Sequence, residues 1–149
     1  MIRHNTIRNI RRFGTVFRAR RGVVEDNTYT AASSSGVLCV NEPSYPNGLF
    51  CSDILIRNNT FADCAFERAP RGPVAMFFIG LGKGGQPAID LGPRRILIEG
   101  NAFTDCPVPE VVLGSTRDVV LHGNSVTRKG GAESLNVRQT NTVDVVVAP

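Results

Sequence analysis

One eight-residue pattern recurs along the chain and constrains its fold more than any other feature. It consists of two apolar residues separated by one residue, two polar or small residues, an asparagine, a small residue and a large apolar residue. Full or nearly full copies occur at 24–29, 54–61, 96–103 and 119–126, with a truncated copy at 2–7 and a broken one at 145–147. Recurrence of this kind is typical of a repeat architecture in which each copy occupies an equivalent place.

Each repeat has room for three short strands. A second apolar segment follows each asparagine and contains, in successive repeats, Phe17, Leu38, Met76, Val112 and Leu135. The shortest intervals between asparagines, 22 and 23 residues, are too short for a four-stranded antiparallel blade but suit one coil of a β-helix, whose strands pair with the next coil roughly 4.8 Å away. We therefore predict an all-β fold, a right-handed parallel β-helix (solenoid) of about five to six coils, formed by residues 1–149 as one domain.

Stacked coils place equivalent residues over one another, so like side chains should form rows. We expect an amide ladder, with its asparagines in the left-handed backbone conformation, and an interior apolar row. The residues two before each asparagine alternate in sign and should lie side by side. The three rows are Asn5, Asn27, Asn59, Asn101 and Asn124; Ile7, Tyr29, Phe61, Phe103 and Val126; and Arg3, Glu25, Arg57, Glu99 and His122.

The segment Ile54-Leu55-Ile56-Arg57-Asn58-Asn59-Thr60-Phe61 resembles the common repeat of the pectate-lyase-like superfamily of right-handed parallel β-helices. The order of long and short loops is similar to that of the later coils of bacterial β-helical α-1,3-galactosidases. The resemblance implies a carbohydrate substrate and an extracellular or periplasmic location, but this fold carries lyases, hydrolases and inert adhesins alike. The catalytic carboxylates of the galactosidases match no position here and are expected in coils that precede this chain.

Composition narrows the classes of partner. No apolar run approaches the roughly 18 residues of a membrane helix, and the first residues lack the apolar stretch of a signal peptide. Seven arginines lie in the first 21 positions, yet this segment lacks base-stacking aromatics and any nucleic-acid motif, so we expect no nucleic-acid partner.

Because neither end of the chain carries a helical cap, we expect a fragment of a longer solenoid or a protomer that pairs end to end.

Two long insertions occur at the same turn of consecutive coils, residues 41–50 and 80–93, with a third at 66–73 at another turn. Loops on a solenoid carry function, so the first two should wall a groove. Glu42 and Asp90 are the candidate catalytic carboxylates, since an acid and a base about 6.5–9.5 Å apart can cleave a glycoside. Tyr45 could stack on a sugar ring and Lys83 could bind an acidic group, and the alternative for the two acids is that they are solvated loop residues.

Arg18 and Arg20 should point outward beside this groove, because Phe17 and Ala19 fit the inward phase of the strand. As substrate-binding residues they would recognise acidic sugars, and the alternative is that they are solvent-facing arginines without a ligand. Asp53, Asp118 and Asp144, each just before a strand, and Asp63 and Asp105, each four residues after an asparagine, are interpreted as scaffold residues.

The cysteines and histidines indicate neither a metal nor a cofactor. Cys64 and Cys106 occupy equivalent repeat positions and are expected to be small interior residues, whereas Cys39 and Cys51 bracket an insertion and could pair in an oxidising compartment. The spacing contains no zinc pattern, and His4 and His122 belong to opposite ends of the stack.

An apolar row should face outward and could mediate self-association, or be covered by loops or further coils. It contains Val23, Leu55, Leu97, Val120 and Val146.

For function, the sequence leaves three alternatives. They are a carbohydrate-active β-helix of glycoside hydrolase or polysaccharide lyase type or a non-catalytic fragment of one, a glycan-binding or structural surface β-helix, and a polyanion binder that uses the arginine-rich start.

Overall fold

The computed structural model describes residues 1–41, 51–66, 75–80, 92–107 and 109–149. These residues form strands and turns, without a helix among them. None of the described segments contains a helix long and apolar enough to cross a membrane. The predicted all-β class is confirmed.

Three sheets run along the molecule, and the chain visits them in turn. The first sheet pairs, in this order, β1 (Ile2–Arg3), β4 (Arg20–Glu25), β7 (Ser52–Arg57), β10 (Arg94–Glu99), β13 (Arg117–His122) and β17 (Val143–Ala148). The second sheet contains β2 (Thr6–Ile10), β5 (Thr28–Ala32), β8 (Thr60–Ala62), β11 (Ala102–Thr104), β14 (Ser125–Arg128) and β15 (Gly131–Glu133). The third contains β3 (Thr15–Val16), β6 (Val37–Asn41), β9 (Met76–Gly80), β12 (Val111–Gly114) and β16 (Val137–Thr140).

Successive coils pair in parallel, which gives a β-solenoid. Asn59 stands between Asn27 and Asn101 because Thr28, Thr60 and Ala102 are register partners in the second sheet. The pair β14–β15 is antiparallel, with Val126 opposite Glu133. This hairpin departs from the predicted winding. Its turn is formed by Lys129 and Gly130, and Gly131, the first residue of β15, has φ +116°, a backbone conformation that favours glycine.

The interior is built from rows of like residues, because each inward side chain lies above its counterpart one coil away. Tyr29, Phe61 and Phe103 stack with ring centroids 4.8 and 5.2 Å apart, and all three are buried. Phe17 is buried in the same core and Ala19 packs against it, which confirms their predicted inward phase. Offset aromatic stacking adds to the hydrophobic gain from burying these rings.

The asparagines are linked from coil to coil by their side chains. Each Nδ2 donates to the next Oδ1, from Asn5 to Asn27, Asn27 to Asn59, Asn59 to Asn101 and Asn101 to Asn124, at 2.9–3.0 Å. The same oxygens accept the backbone N–H of the preceding asparagine. These bonds satisfy backbone groups that a tight bend would otherwise leave unpaired.

The asparagines themselves do not adopt the left-handed conformation, and that part of the prediction was wrong. The residue immediately before each asparagine does: His4, Asp26, Asn58, Gly100 and Gly123, with φ between +52° and +61°. The bend is made one residue earlier, which leaves the asparagine side chain free to extend along the stack. Asp, Asn and Gly tolerate this backbone region best, which explains the residue at four of the five positions.

Candidate functional site

The two long insertions leave the solenoid side by side. They follow β6 and β9, whose last residues Asn41 and Gly80 are register partners. They return at β7 and β10, where Ser52 pairs with Arg94. Segments 42–50 and 81–91 therefore start and end at matching places on adjacent coils, as the sequence predicts for two walls of one groove.

The four candidate residues on these insertions, Glu42, Tyr45, Lys83 and Asp90, lie outside the described residues. Their roles, and the separation of the two carboxyl groups, stay predictions. What the structure describes is the base from which these segments depart.

Hydrogen bonds tie the base of the first insertion together. The backbone N–H of Cys51 donates to Asn41 Oδ1 at 2.7 Å, closing the segment between them. The Cys51 thiol donates to the carbonyl of Phe17 in the preceding coil at 2.9 Å. The insertion thus begins and ends on a rigid, buried anchor, which is how a scaffold positions a binding loop.

Arg18 and Arg20 flank this anchor on the preceding coil. Arg18 is half-buried, and its positive charge contributes to lowering the pKa of Cys51, after the larger effect of the hydrogen bond from Cys39. Arg20 is exposed and pairs in register with Ser52, where the first insertion rejoins the first sheet. Both arginines therefore lie beside the base of the predicted groove.

The outer face of the third sheet is apolar and covered. Leu38, Val40 and Val112 are only 7%, 4% and 8% exposed, and they pack with Phe13 and Ile79 into a cluster separate from the interior core. Val37, Met76 and Val111, their neighbours along the strands, point inward. A solvent-facing sheet would be polar on this side, so this face differs from an ordinary solenoid surface.

A surface depression lies at the turn that leaves the second sheet. It has a volume of about 590 Å³ and is lined by Asp63, Phe66, Asp105, Pro107 and Arg128 among others. Phe66 is 62% exposed. Asp63 and Asp105 have φ near +50° and donate their backbone N–H groups to the next coil, which fits the scaffold role predicted for them.

A buried ion pair supports this depression and was missed by sequence reasoning. Glu110 is fully buried; it accepts hydrogen bonds from Arg128 and, at 2.9 Å, from the backbone N–H of Asn136. Arg128 also pairs with Glu133 and donates to the Cys106 carbonyl at 3.2 Å. The one available signal was an acidic residue placed between Pro109 and the apolar run that starts at Val111.

The four cysteines are free, buried thiols. Burial raises the pKa of Cys39, and the hydrogen bond with Cys51 raises it further. A thiol held neutral in this way is a poor nucleophile. Within the described segments, no three His, Cys, Asp or Glu side chains gather in a way that could hold a metal ion.

No protein-family model matches the chain. Among curated proteins, it is similar to Alpha-1,3-galactosidase A of Bacteroides fragilis, with 29% identity over 114 residues that cover 73% of this chain and 18% of the relative. It is also similar to Alpha-1,3-galactosidase B of Akkermansia muciniphila, with 29% identity over 129 residues that cover 85% of this chain and 16% of the relative. The chain thus spans less than a fifth of the length of these relatives.

Proposed function

We propose that this chain is part of a carbohydrate-active right-handed parallel β-helix of the pectate-lyase-like kind, and that the groove between the two insertions binds an oligosaccharide. The observation that carries the proposal is the similarity to two α-1,3-galactosidases across most of the chain, together with two insertions anchored at paired residues of adjacent coils. By this proposal the asparagine row forms the ladder of such helices, and each three-strand unit is one coil.

In the proposed groove, Glu42 and Asp90 act as the acid and base that cleave a glycosidic bond. Tyr45 offers a ring face for a pyranose, and Lys83, Arg18 and Arg20 recognise acidic groups on the sugar. Loops on neighbouring coils can bring their side chains together because equivalent residues are about 4.8 Å apart along the stack. The pair Asn41 and Gly80 fixes where the two walls begin.

The test is binding and turnover of an oligosaccharide that ends in α-1,3-linked galactose. Calorimetric titration measures binding, and release of galactose measures hydrolysis. Glu42→Gln and Asp90→Asn should keep binding and lose turnover at least about 100-fold, the size of a general acid–base contribution. Asp144→Asn, an exposed carboxylate on β17, two strands beyond the second insertion in the first sheet, is the matched control and should change neither.

A chain that neither binds nor cleaves this probe, or the double variant retaining full activity, would refute the proposed site. Binding with no turnover in the unsubstituted chain supports the second candidate function, a non-catalytic glycan-binding unit. One described feature favours that candidate: the 62% exposed ring of Phe66 borders a depression that also exposes two carboxylates. Phe66→Ala should then weaken binding at least about fivefold, the order expected for one aromatic contact, while Val16→Ala at another exposed site should not.

A further inference from the structure

The outer face of the first sheet carries three columns of side chains, which we name the striped face. Its middle column is apolar and its flanking columns are charged. The middle column contains Val23, Leu55, Leu97, Val120 and Val146. The columns on either side contain Arg21, Asp53, Arg95, Asp118 and Asp144, and Glu25, Arg57, Glu99 and His122. The register places the members of each column on successive strands.

The middle column is accessible to a partner. Val120 and Val146 are 40% and 54% exposed, and Val23, Leu55 and Leu97 are half-buried. The column forms part of an open groove of about 520 Å³, bordered by the charged side chains that precede it. A contiguous apolar row rimmed by charges is typical of an interaction surface.

The charged columns alternate in sign from coil to coil as far as Asp118, which is followed by a second acid, Asp144. Arg57 pairs with Glu25 at 2.8 Å, and Arg95 donates to both carboxylate oxygens of Asp53 at 2.6 and 2.8 Å. The Arg95 bonds lower the pKa of Asp53 to about 2. From Arg21 to Asp118 and from Glu25 to Glu99, each charge lies beside an opposite charge on the adjacent coil of its own column, whereas Asp118 and Asp144 are neighbours of like sign.

Signs also alternate across each strand. On three successive coils the residues on either side of the apolar one are of opposite sign, Arg21 and Glu25, Asp53 and Arg57, and Arg95 and Glu99, and on the fourth Asp118 stands across from the neutral His122. The result is a chequered pattern. Such a pattern is complementary to itself, because turning a second copy by 180° about an axis in the face brings opposite signs together.

We propose that the striped face binds the striped face of a second copy of this chain, as a symmetric dimer. With the coils in opposite order, Arg21 faces Asp118, Asp53 faces Arg95 and Arg57 faces Glu99. The middle columns then meet, with Val23 against Val120 and Leu55 against Leu97. A two-fold interface of this kind requires one self-complementary patch, which the striped face provides.

In a second arrangement, the coils of the two chains run in the same order and their strands are antiparallel. Each coil then faces the equivalent coil of the second chain. Arg95 then meets Glu99 and Val120 meets Val120. The signs match in this arrangement as well, so the pattern favours a second copy in either order.

A glycan fits this face less well than a second copy. The striped face contains no aromatic ring, so it lacks the flat apolar surface on which a pyranose stacks, and two of its arginines, Arg57 and Arg95, already pair with Glu25 and Asp53. The hydrophobic column instead requires an apolar partner of the same length.

The size of the face sets the strength of the expected dimer. Five strands about 4.8 Å apart and five residues at about 3.3 Å each give roughly 400 Å² per copy. The total of about 800 Å² is at the low end for protein interfaces, where association is transient. The dimer should therefore form reversibly and at high protein concentration.

The first test is analytical ultracentrifugation of the chain at protein concentrations up to about 1 mM. We expect a monomer–dimer equilibrium that Val120→Asp shifts at least tenfold towards monomer in either order of the coils, and that Val146→Asp shifts as much if the coils run in the same order. Val16→Asp is the matched control, because Val16 is 47% exposed on the third sheet, and it should leave the equilibrium unchanged. Circular dichroism checks that each variant is folded.

A chain that stays monomeric over the whole range would overturn the proposal, as would a dimer that Val16→Asp weakens as much as Val120→Asp. A dimer unaffected by both substitutions on the striped face would place the contact elsewhere and overturn it too.

The second test uses charge swaps. Arg21→Asp and Asp118→Arg should each weaken the dimer, and an equimolar mixture should restore it if the coils run in opposite order. Arg95→Asp and Glu99→Arg should behave in the same way if the coils run in the same order. If the dimer is restored in one mixture, the chequered interface is supported and the relative order of the coils in the two chains is assigned. If it is restored in neither mixture, the proposed interface is refuted.

Discussion

Asn59→Ala is the substitution that tests the stacking of the coils most directly. Asn59 is 1% exposed and lies at the centre of the asparagine row. Its Nδ2 donates to Asn101 Oδ1 at 3.0 Å and to the carbonyls of Val24 and Arg57 at 2.9 Å. Its Oδ1 accepts from the backbone N–H and the Nδ2 of Asn27 at 3.0 and 2.9 Å.

The magnitude follows from the partners that alanine would leave behind. The backbone N–H of Asn27 is buried and would lose its acceptor, which costs about 1–3 kcal/mol. Asn27 Nδ2 keeps its second bond to the Ile2 carbonyl at 3.1 Å, so its loss is smaller. Together with the weakened carbonyl contacts, at about 1 kcal/mol per hydrogen bond, we expect the free energy of unfolding to fall by about 4 kcal/mol, a large fraction of the stability of an ordinary domain.

The assay is urea unfolding followed by far-UV circular dichroism, with two asparagine controls. Asn5 ends the row, and its side chain donates to the Arg3 carbonyl and to Asn27 Oδ1, so Asn5→Ala should cost about 1 kcal/mol. Asn136 is exposed, and Asn136→Ala should change stability by less than about 0.5 kcal/mol. If Asn59→Ala cost no more than Asn5→Ala, the side-chain bonds between coils would not stabilise the stack and the reasoning would be wrong.

Two further predictions concern the core and the charged columns. Phe61→Ala, in the middle of the buried aromatic stack, should cost about 3–5 kcal/mol by cavity formation, whereas Phe66→Ala at an exposed ring should cost less than about 0.5 kcal/mol; thermal unfolding compares the two. The Asp53 carboxyl should titrate near pH 2, measured by NMR, and Arg95→Met should return it towards its ordinary value of 3.8. Because the folded pKa is depressed, the stability that this pair contributes is present above pH 4 and is lost as the pH falls towards 2, so Asp53→Asn and the unsubstituted chain should differ at pH 7 and converge at pH 2.

Much of the scaffold could be predicted because a solenoid repeats its geometry as well as its sequence. Once Asn59 and Asn101 are aligned, the register of Arg57 with Glu99 and of Phe61 with Phe103 follows, and the structure has both. The alignment did not determine backbone conformation at the bend. The residue with the left-handed backbone precedes the asparagine, and its type varies from His4 to Gly123. Because no single residue type recurs at this position, the repeat pattern did not indicate where the bend lies.

The features that sequence reasoning missed do not recur from coil to coil. Glu110 and Arg128 join the end of the second sheet to the start of the third, and neither has a counterpart in the repeat. The antiparallel hairpin that pairs Val126 with Glu133 likewise has no counterpart in the other coils that the structure describes. The repeat pattern likewise does not extend into the insertions, and only their ends are fixed by register, at Asn41 and Gly80 and at Ser52 and Arg94.

If register between coils is what specifies the fold, a whole coil should be removable while part of one should not. Residues 94–116 form one coil, since Arg94 pairs with Arg117 and Asn101 and Asn124 are 23 residues apart. Their deletion would bring Asn59 beside Asn124 and Phe61 beside Val126, preserving an amide on an amide and an apolar residue on an apolar residue. We expect a folded protein with the same far-UV spectrum and a lower unfolding midpoint, because one interface between coils is lost. Deletion of 94–104 removes two strands of three and places a third-sheet strand where a first-sheet strand belongs, so that variant should not fold; equal spectra for both deletions would show that the stack is held together by something other than the alignment of its coils.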